Sequence, residues 1–239
     1  MAGGKIAKGD NLKPVCPRLS TDEPENQSED LVRVWLRSYE VEKERQFIKH
    51  IDRLIPNNRV KLLDIGCGIG LHTQLWSERN KQVTGSDFCE QFRDHFVRTY
   101  RFPFVWNDVL NSTMQGQYDI CFCMAIGTIL HDEELRFQTF RTLAQLVGSG
   151  SYLVLVTGSN QRLIALWRDR VVLHSLNARD LQKLRDFGFK VEKVFYWSST
   201  PKFLWRSPVR RTIARLAETI CTRLGIGARK VAICRKERS

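Results

Sequence analysis

Residues 62–70 read LLDIGCGIG, an apolar run that turns through three alternating glycines. The run has the length of a buried β-strand, and the residues after Gly70 show helical spacing. Glycine suits such a strand-to-helix turn because the backbone can take positive φ and a ligand can approach it with no Cβ in the way. A dinucleotide fingerprint would have Gly or Ala at position 71, where this chain has Leu71. The stretch therefore predicts a ligand-binding loop of another kind, with Asp64 two residues before the first glycine.

Apolar runs and helical patterns alternate on both sides of this loop. Extended runs are predicted at 60–65, 82–86, 102–106, 118–124, 152–157, 189–197 and 231–234, and helical patterns at 31–54, 71–80, 88–98, 132–147 and 177–187. Such alternation predicts an α/β fold, with a mostly parallel sheet and helices on both faces.

Polar residues also follow the second and third predicted strands. Asp87 closes the second strand, 21 residues after Gly66, where a carboxylate can accept both hydroxyls of a ribose. Asn107 and Asp108 follow the third strand, where a side-chain acceptor and a backbone N–H can read the edge of an adenine. Because the carboxyl ends of parallel strands meet at one edge of a sheet, these groups predict a nucleoside-binding site.

These motifs resemble those of the class I S-adenosylmethionine-dependent methyltransferases, over about residues 31–197. Residues 64–70 match the first motif of that family, Asp87 its ribose acid and Asp108 its adenine contact. The resemblance implies a Rossmann-like, doubly wound, seven-stranded sheet with an antiparallel last strand, and S-adenosylmethionine as cofactor. The cofactor contacts that it implies are Asp64, Gly66, Cys67, Gly68, Gly70, Asp87, Phe88, Asn107, Asp108, Val109 and Met124.

Two histidines are candidates for a general base, which a hydroxyl or ammonium acceptor would need. His131 follows the predicted fourth strand and His174 follows the fifth, both at the edge of the sheet where the ligand is expected. Trp35, Tyr39 and Trp167 are candidates for an apolar wall around the acceptor. For each of these residues the alternative is an ordinary loop or packing role.

The resemblance implies an enzyme that transfers a methyl group to an O or N atom of a small or lipid-like molecule. The fourth strand is not followed by the Asn/Asp-Pro-Pro-aromatic tetrapeptide of methyltransferases that modify nucleobase amines or glutamine amides. The chain also has no Pro-Cys nucleophile of the cytosine-C5 kind. An RNA methyltransferase and a non-catalytic, cofactor-binding partner subunit of another methyltransferase are the alternatives.

The formal charge of +12 is concentrated at one end of the chain. Residues 200–239 hold 11 basic and 2 acidic residues, against 23 and 18 in residues 31–199 and 4 and 6 in residues 1–30. A basic amphipathic helix is predicted over 207–224, and its apolar face contains Val209, Ile213, Leu216 and Ile220. This face could cover the sheet, residues 203–224 could form a peripheral membrane contact, or the arginines could bind RNA.

Composition also predicts the domain limits, the compartment and the state of the cysteines. Residues 1–30 have few apolar anchors among Gly, Lys, Pro, Ser and acids, which predicts a mobile leader before a single domain over 31–239. The first residues lack a signal-peptide pattern and no run approaches the roughly 18 apolar residues of a membrane span, so we expect a cytoplasmic protein. Seven cysteines without a CxxC pair predict free buried thiols rather than disulfides, and no metal site.

Overall fold

The computed structural model describes residues 41–110, 114, 118–124, 132–159, 175–198 and 200–237. The strands are β1 (Lys61–Ile65), β2 (Gln82–Asp87), β3 (Phe104–Trp106), β4 (Tyr118–Cys123), β5 (Val147–Gly158), β6 (Phe189–Trp197) and β7 (Arg229–Lys236). The helices are α1 (Val41–Asp52), α2 (Leu71–Ser77), α3 (Glu90–Thr99), α4 (Glu133–Leu146), α5 (Ala178–Asp186) and α6 (Pro208–Arg223), with a 3₁₀ helix at Lys202–Trp205.

The strands form one seven-stranded sheet in the order β3-β2-β1-β4-β5-β7-β6. All pairs from β3 to β5 are parallel, whereas β7 runs antiparallel to both β5 and β6. The prediction of a mostly parallel, Rossmann-like sheet with an antiparallel last strand is confirmed. The strand order reverses between β1 and β4, and in such sheets ligands bind at the carboxyl ends of the strands on either side of that point.

Alternate residues of the central strands pack against opposite faces of the sheet. Leu62 and Phe122 belong to one buried cluster, together with Phe47 of α1, while Leu63 and Cys121 belong to a second cluster. Strands that are buried on both faces read as near-continuous apolar runs. This double burial is why the sequence predicts the positions of the central strands closely.

The fifth strand is longer than predicted. It begins at Val147, directly after α4, rather than at Tyr152. Gly150, with a φ of 73°, lies inside the strand, and the pairing with β4 shifts register between Tyr118 and Ile120. Residues 147–151, which precede the predicted strand, therefore belong to the observed one, and Gly150 lies at an irregularity within it.

Helix α6 forms close to its predicted bounds but does not cover the sheet with its apolar face. The residues of that face are 48% to 77% exposed: Val209, Ile213, Leu216 and Ile220. Ala214 and Glu218, on the opposite side of the helix, are buried instead. The interpretation in which the apolar face packs on the sheet is therefore wrong.

Most of the described cysteines are free, as expected. Those without a disulfide are Cys67, Cys121, Cys123, Cys221 and Cys234. Cys89 is disulfide-bonded, so the expectation of free thiols throughout is wrong at that position. Burial raises the pKa of Cys234 to about 12, which makes this thiol unreactive at neutral pH.

Helix α1 corresponds to the second half of the helical pattern predicted over 31–54. The predicted leader over 1–30 lies outside the described residues, so the domain limit near residue 31 stays a prediction. Among the helices that the structure describes, none is long and apolar enough to cross a membrane.

Candidate active site

The glycine loop between β1 and α2 is held against the end of β2 by backbone hydrogen bonds. The N–H groups of Gly66 and Cys67 donate to the carbonyl oxygen of Ser86, at 2.7 and 3.0 Å. The N–H of Gly68 donates to Oδ2 of Asp87 at 2.9 Å. The structure thus brings the predicted loop and the predicted ribose acid into direct contact.

Gly68 and Gly70 differ in what surrounds them, although both have positive φ, of 53° and 83°. A Cβ on Gly70 would lie 2.6 Å from Cε2 of Tyr100 and 2.8 Å from Cδ2 of Phe96, so close packing excludes a side chain there. A Cβ on Gly68 would meet no atom of the described residues within 4 Å. The loop therefore leaves open space beside Gly68, next to Asp87, where a ligand can approach the backbone.

Asp87 is buried yet keeps the capacity to bind a ligand. Its Oδ2 accepts the N–H of Gly68, and its Oδ1 accepts the N–H of Cys89, also at 2.9 Å. Burial raises the pKa of Asp87, while the N–H groups of Cys89, Gly68 and Phe88 oppose the rise. Each carboxylate oxygen has a further lone pair, so Asp87 can accept two ribose hydroxyls without losing the bonds that position it.

Asp64 is the second buried carboxylate of the site. Its Oδ2 accepts a hydrogen bond from Oγ1 of Thr73, in the first turn of α2, at 2.6 Å. Burial raises the pKa of Asp64 to about 6; His72 and Thr73 oppose the rise, and the nearby Asp87 adds to it. A cationic ligand suits two buried carboxylates, because a positive charge favours the ionised form of both.

The residues that follow β3 form the third part of the site. The N–H of Asn107 donates to the carbonyl oxygen of Asp87 at 3.1 Å, and Oδ1 of Asp108 accepts the N–H of Leu110 at 2.9 Å. Asn107 is buried, and its Nδ2 has no hydrogen-bond partner within the part of the chain that the structure describes. A buried donor left unsatisfied costs about 1–3 kcal/mol, and a ring nitrogen of adenine would satisfy it.

The other predicted residues fall into two groups. Val109 is buried after β3, Phe88 is half-buried after β2, and Met124 directly follows β4 and packs against the core. The predicted catalytic and substrate residues lie outside the described part of the chain, and their roles stay predictions: His131, His174, Trp35, Tyr39 and Trp167.

A chain of buried polar side chains next to the site was not predicted. Arg229, at the start of β7, donates to both carboxylate oxygens of Glu44 at 2.7 and 2.8 Å. Nε2 of His72 lies 3.0 Å from Oε2 of Glu44. Burial raises the pKa of Glu44, but Arg229 and His72 outweigh it, so the pKa lies well below its ordinary value. The overlooked signal was the polar pair His72 and Thr73 directly after the glycine loop, in a turn that this fold buries.

Comparison with known proteins agrees with this geometry. Residues 62–150 match the family model of a methyltransferase domain. No curated protein sequence matches the chain significantly.

Solved structures show the same fold at low sequence identity. An S-adenosylmethionine-dependent methyltransferase from Clostridium acetobutylicum has a TM-score of 0.62 at 12% identity, over 88% of this chain and 99% of that one. A TehB-like methyltransferase from Corynebacterium glutamicum has a TM-score of 0.59 at 15% identity, over 88% and 98%. Magnesium protoporphyrin IX methyltransferase from Synechocystis, with bound S-adenosylmethionine, has a TM-score of 0.55 at 16% identity, over 91% and 87%.

The fold brings the polar groups that the sequence predicts to bind a nucleoside to the ends of three neighbouring strands. Residues 62–150 therefore form a methyltransferase domain, and the sheet has the fold of S-adenosylmethionine-dependent methyltransferases, one of which holds S-adenosylmethionine in its solved structure. The residues present fit this cofactor through two buried carboxylates, open space beside Gly68 and an unused amide at Asn107. The predicted methyltransferase domain and fold are confirmed, the fit of these residues supports S-adenosylmethionine as cofactor, and the individual contacts stay predictions.

Proposed function

We propose that the enzyme transfers the methyl group to an oxygen or nitrogen atom of a small or lipid-like molecule. The observation that carries this proposal is the sequence at the end of β4, where residues 124–127 read MAIG. Methyltransferases that modify nucleobase amines or glutamine amides have Asn/Asp-Pro-Pro-aromatic at this place. The structural similarity to magnesium protoporphyrin IX methyltransferase, which is named for a small-molecule substrate, supports the same proposal.

Binding and orientation are the main tasks of the described residues in this function. Bound S-adenosylmethionine supplies a methyl group on a positively charged sulfur, so no side chain has to activate a leaving group. In this proposal Asp87 accepts hydrogen bonds from the ribose hydroxyls and Asn107 donates one to the adenine. The carboxylate of Asp64 attracts the positively charged part of the cofactor. Alignment of the acceptor with the methyl carbon can account for about 7–11 kcal/mol of the barrier.

A hydroxyl acceptor must also lose its proton as the new bond to carbon forms. His131 and His174 are the proposed bases. If one of them is the base, its replacement by alanine lowers turnover while the affinity for S-adenosylmethionine is retained. His95→Ala is the matched control, because His95 lies on α3, where its ring contacts Thr99 of the same helix. Full turnover by both His131→Ala and His174→Ala would show that neither histidine is the base.

The acceptor class is tested with methyl-labelled S-adenosylmethionine and separate small-molecule, lipid and RNA fractions of a host extract. We expect label in the small-molecule or lipid fraction, and no label there with an Asp87→Ala variant. Label confined to RNA would contradict the proposal and support an RNA methyltransferase. Cofactor binding without turnover in any fraction would also contradict it and would support a non-catalytic subunit.

A further inference from the structure

The outward face of α6 is apolar along the whole helix. Aliphatic side chains recur there at intervals of three and four residues, so they share one face. We call the following exposed residues, together with Phe203 of the 3₁₀ helix, the apolar stripe: Val209, Ile213, Leu216, Ile220 and Leu224. Each of them is at least 48% exposed, and a continuous apolar surface of this kind marks an interaction site.

The opposite face of α6 is fixed to the rest of the protein. Oε2 of the buried Glu218 accepts hydrogen bonds from the N–H and the hydroxyl of Thr200, at 3.1 and 2.7 Å. Arg215 pairs with Glu42 of α1 at 3.0 Å. Rotation of the apolar stripe toward the sheet would break these bonds, so the stripe faces outward in the folded protein.

The surface around the apolar stripe carries positive charge. Residues 200–224 contain six basic residues and one acidic residue, and that acid is the buried Glu218. Arg210 and Arg223 are exposed and stand next to the two ends of the stripe on the helix. In a helix that lies on an anionic bilayer, aliphatic side chains enter the acyl boundary and arginines meet the lipid phosphates.

Other occupants fit this surface less well. A second copy of the chain would bring arginines against arginines, with no exposed acid in residues 200–224 to neutralise them. A nucleic acid would pair with the arginines but would leave five aliphatic side chains in water, and Phe203 is the one strongly exposed aromatic ring among the described residues of 200–224. An anionic lipid surface satisfies both the charge and the apolar area.

The connection that contains α6 begins and ends at the same edge of the sheet as the candidate cofactor site. The connection that contains α6 leaves the sheet after Trp197 and returns at Arg229, and these two residues are paired neighbours in the sheet. Both therefore lie at the carboxyl edge of the parallel strands, the edge at which Asp64 and Asp87 are found. Arg229 also contacts Glu44, the partner of His72 beside the cofactor loop.

We propose that the protein binds the surface of anionic lipid bilayers through the apolar stripe and the arginines of α6. This docking does not depend on whether the methyl acceptor is itself a lipid. The bound state combines burial of the stripe with attraction between the arginines and the lipid headgroups.

The test is co-sedimentation of the full chain with vesicles of phosphatidylcholine alone and of phosphatidylcholine mixed with phosphatidylglycerol. We expect binding to the anionic vesicles to be at least about tenfold stronger than to the neutral ones, and to weaken at high ionic strength. An Ile213→Asp, Leu216→Asp double variant should lose at least about tenfold in affinity for the anionic vesicles. An Arg210→Gln, Arg223→Gln variant should bind more weakly and with less dependence on salt.

Matched controls lie on and next to α3. Val97→Asp places an acid at an apolar position that is 58% exposed, and Arg98→Gln with Arg101→Gln removes two exposed charges. Both controls should bind the anionic vesicles like the wild type. The proposal is overturned if the wild type does not bind anionic vesicles or if the controls lose as much affinity as the α6 variants. It is also overturned if Ile213→Asp, Leu216→Asp dissociates a dimer in light scattering while vesicle binding is unchanged.

Discussion

The backbone N–H of Gly68 donates a hydrogen bond to Oδ2 of Asp87 at 2.9 Å, and this bond joins the loop after β1 to the carboxylate at the end of β2. Two segments 19 residues apart therefore form one half of the candidate cofactor site before a ligand is bound. Such preorganisation lowers the entropy that is lost on binding.

Removal of the carboxylate in an Asp87→Ala variant should weaken S-adenosylmethionine binding at least about tenfold, because hydrogen bonds to a charged group contribute roughly 1.5–3 kcal/mol each. Isothermal titration with S-adenosylmethionine and its demethylated product measures the effect. Asp186→Ala, which removes a carboxylate that is 48% exposed on α5, is the control and should bind like the wild type. Equal affinity of the Asp87→Ala variant and the wild type would mean that the assigned ribose site is wrong.

Gly70→Ala should mainly lower the stability of the protein, whereas Gly68→Ala should mainly weaken binding of the cofactor. Both positions have positive φ, which costs an alanine about 1–2 kcal/mol. At Gly70 the contact with Tyr100 adds an overpacking cost of about 1–3 kcal/mol, whereas the space beside Gly68 is open. Gly70→Ala should therefore lose more free energy of unfolding in urea, while Gly68→Ala should mainly lose affinity for the cofactor. Equal losses of stability in the two variants would contradict this prediction.

Cofactor binding should weaken as the pH falls below about 6. The pKa of Asp64 is raised to about 6, mainly by burial, so the free protein holds this acid protonated below that pH. A cationic cofactor favours the ionised acid, so binding then has to release the proton. The apparent affinity should fall by up to about tenfold for each pH unit below the pKa.

Isothermal titration between about pH 7 and about pH 5 measures this dependence. The pKa of Asp87 is also raised by burial, so its protonation at low pH should likewise weaken cofactor binding. An Asp64→Asn variant, which has no proton to release at this position, should bind more weakly at neutral pH and show a shallower pH dependence. A wild-type affinity that stays constant over this range would rule out the role given to Asp64.

The ion pair between Arg229 and Glu44 should be a major contributor to stability. Glu44 is 3% exposed, and its replacement by glutamine leaves the charge of Arg229 in a largely buried place. We expect Glu44→Gln to lower the free energy of unfolding by about 3–5 kcal/mol. Glu78→Gln, which breaks an exposed pair with Arg45, should cost less than about 1 kcal/mol. Urea unfolding of both variants checks the difference, and similar losses would show that burial of Glu44 does not govern its contribution.

The sequence predicts the glycine loop and the strand ends of the candidate site because the signals of these parts are local. A strand, a glycine turn and a carboxylate at the next strand end each leave a pattern within a few residues, and parallel pairing brings these ends to one edge. Thr73 and His72 were missed because their partners, Asp64 and Glu44, are separated from them by 9 and 28 residues. Contacts of this kind have no periodic signal in the chain.

The sequence by itself determined the succession of strands and helices along the chain, the glycine loop and the amphipathic character of residues 207–224. Each of these follows from local spacing and backbone chemistry. Only the tertiary structure decided which face of α6 is buried. Periodicity shows that Val209, Ile213 and Leu216 share a face, but it does not say what that face meets. The hydrogen bonds from Thr200 to Glu218 hold the polar side of the helix inward and leave the apolar stripe outside.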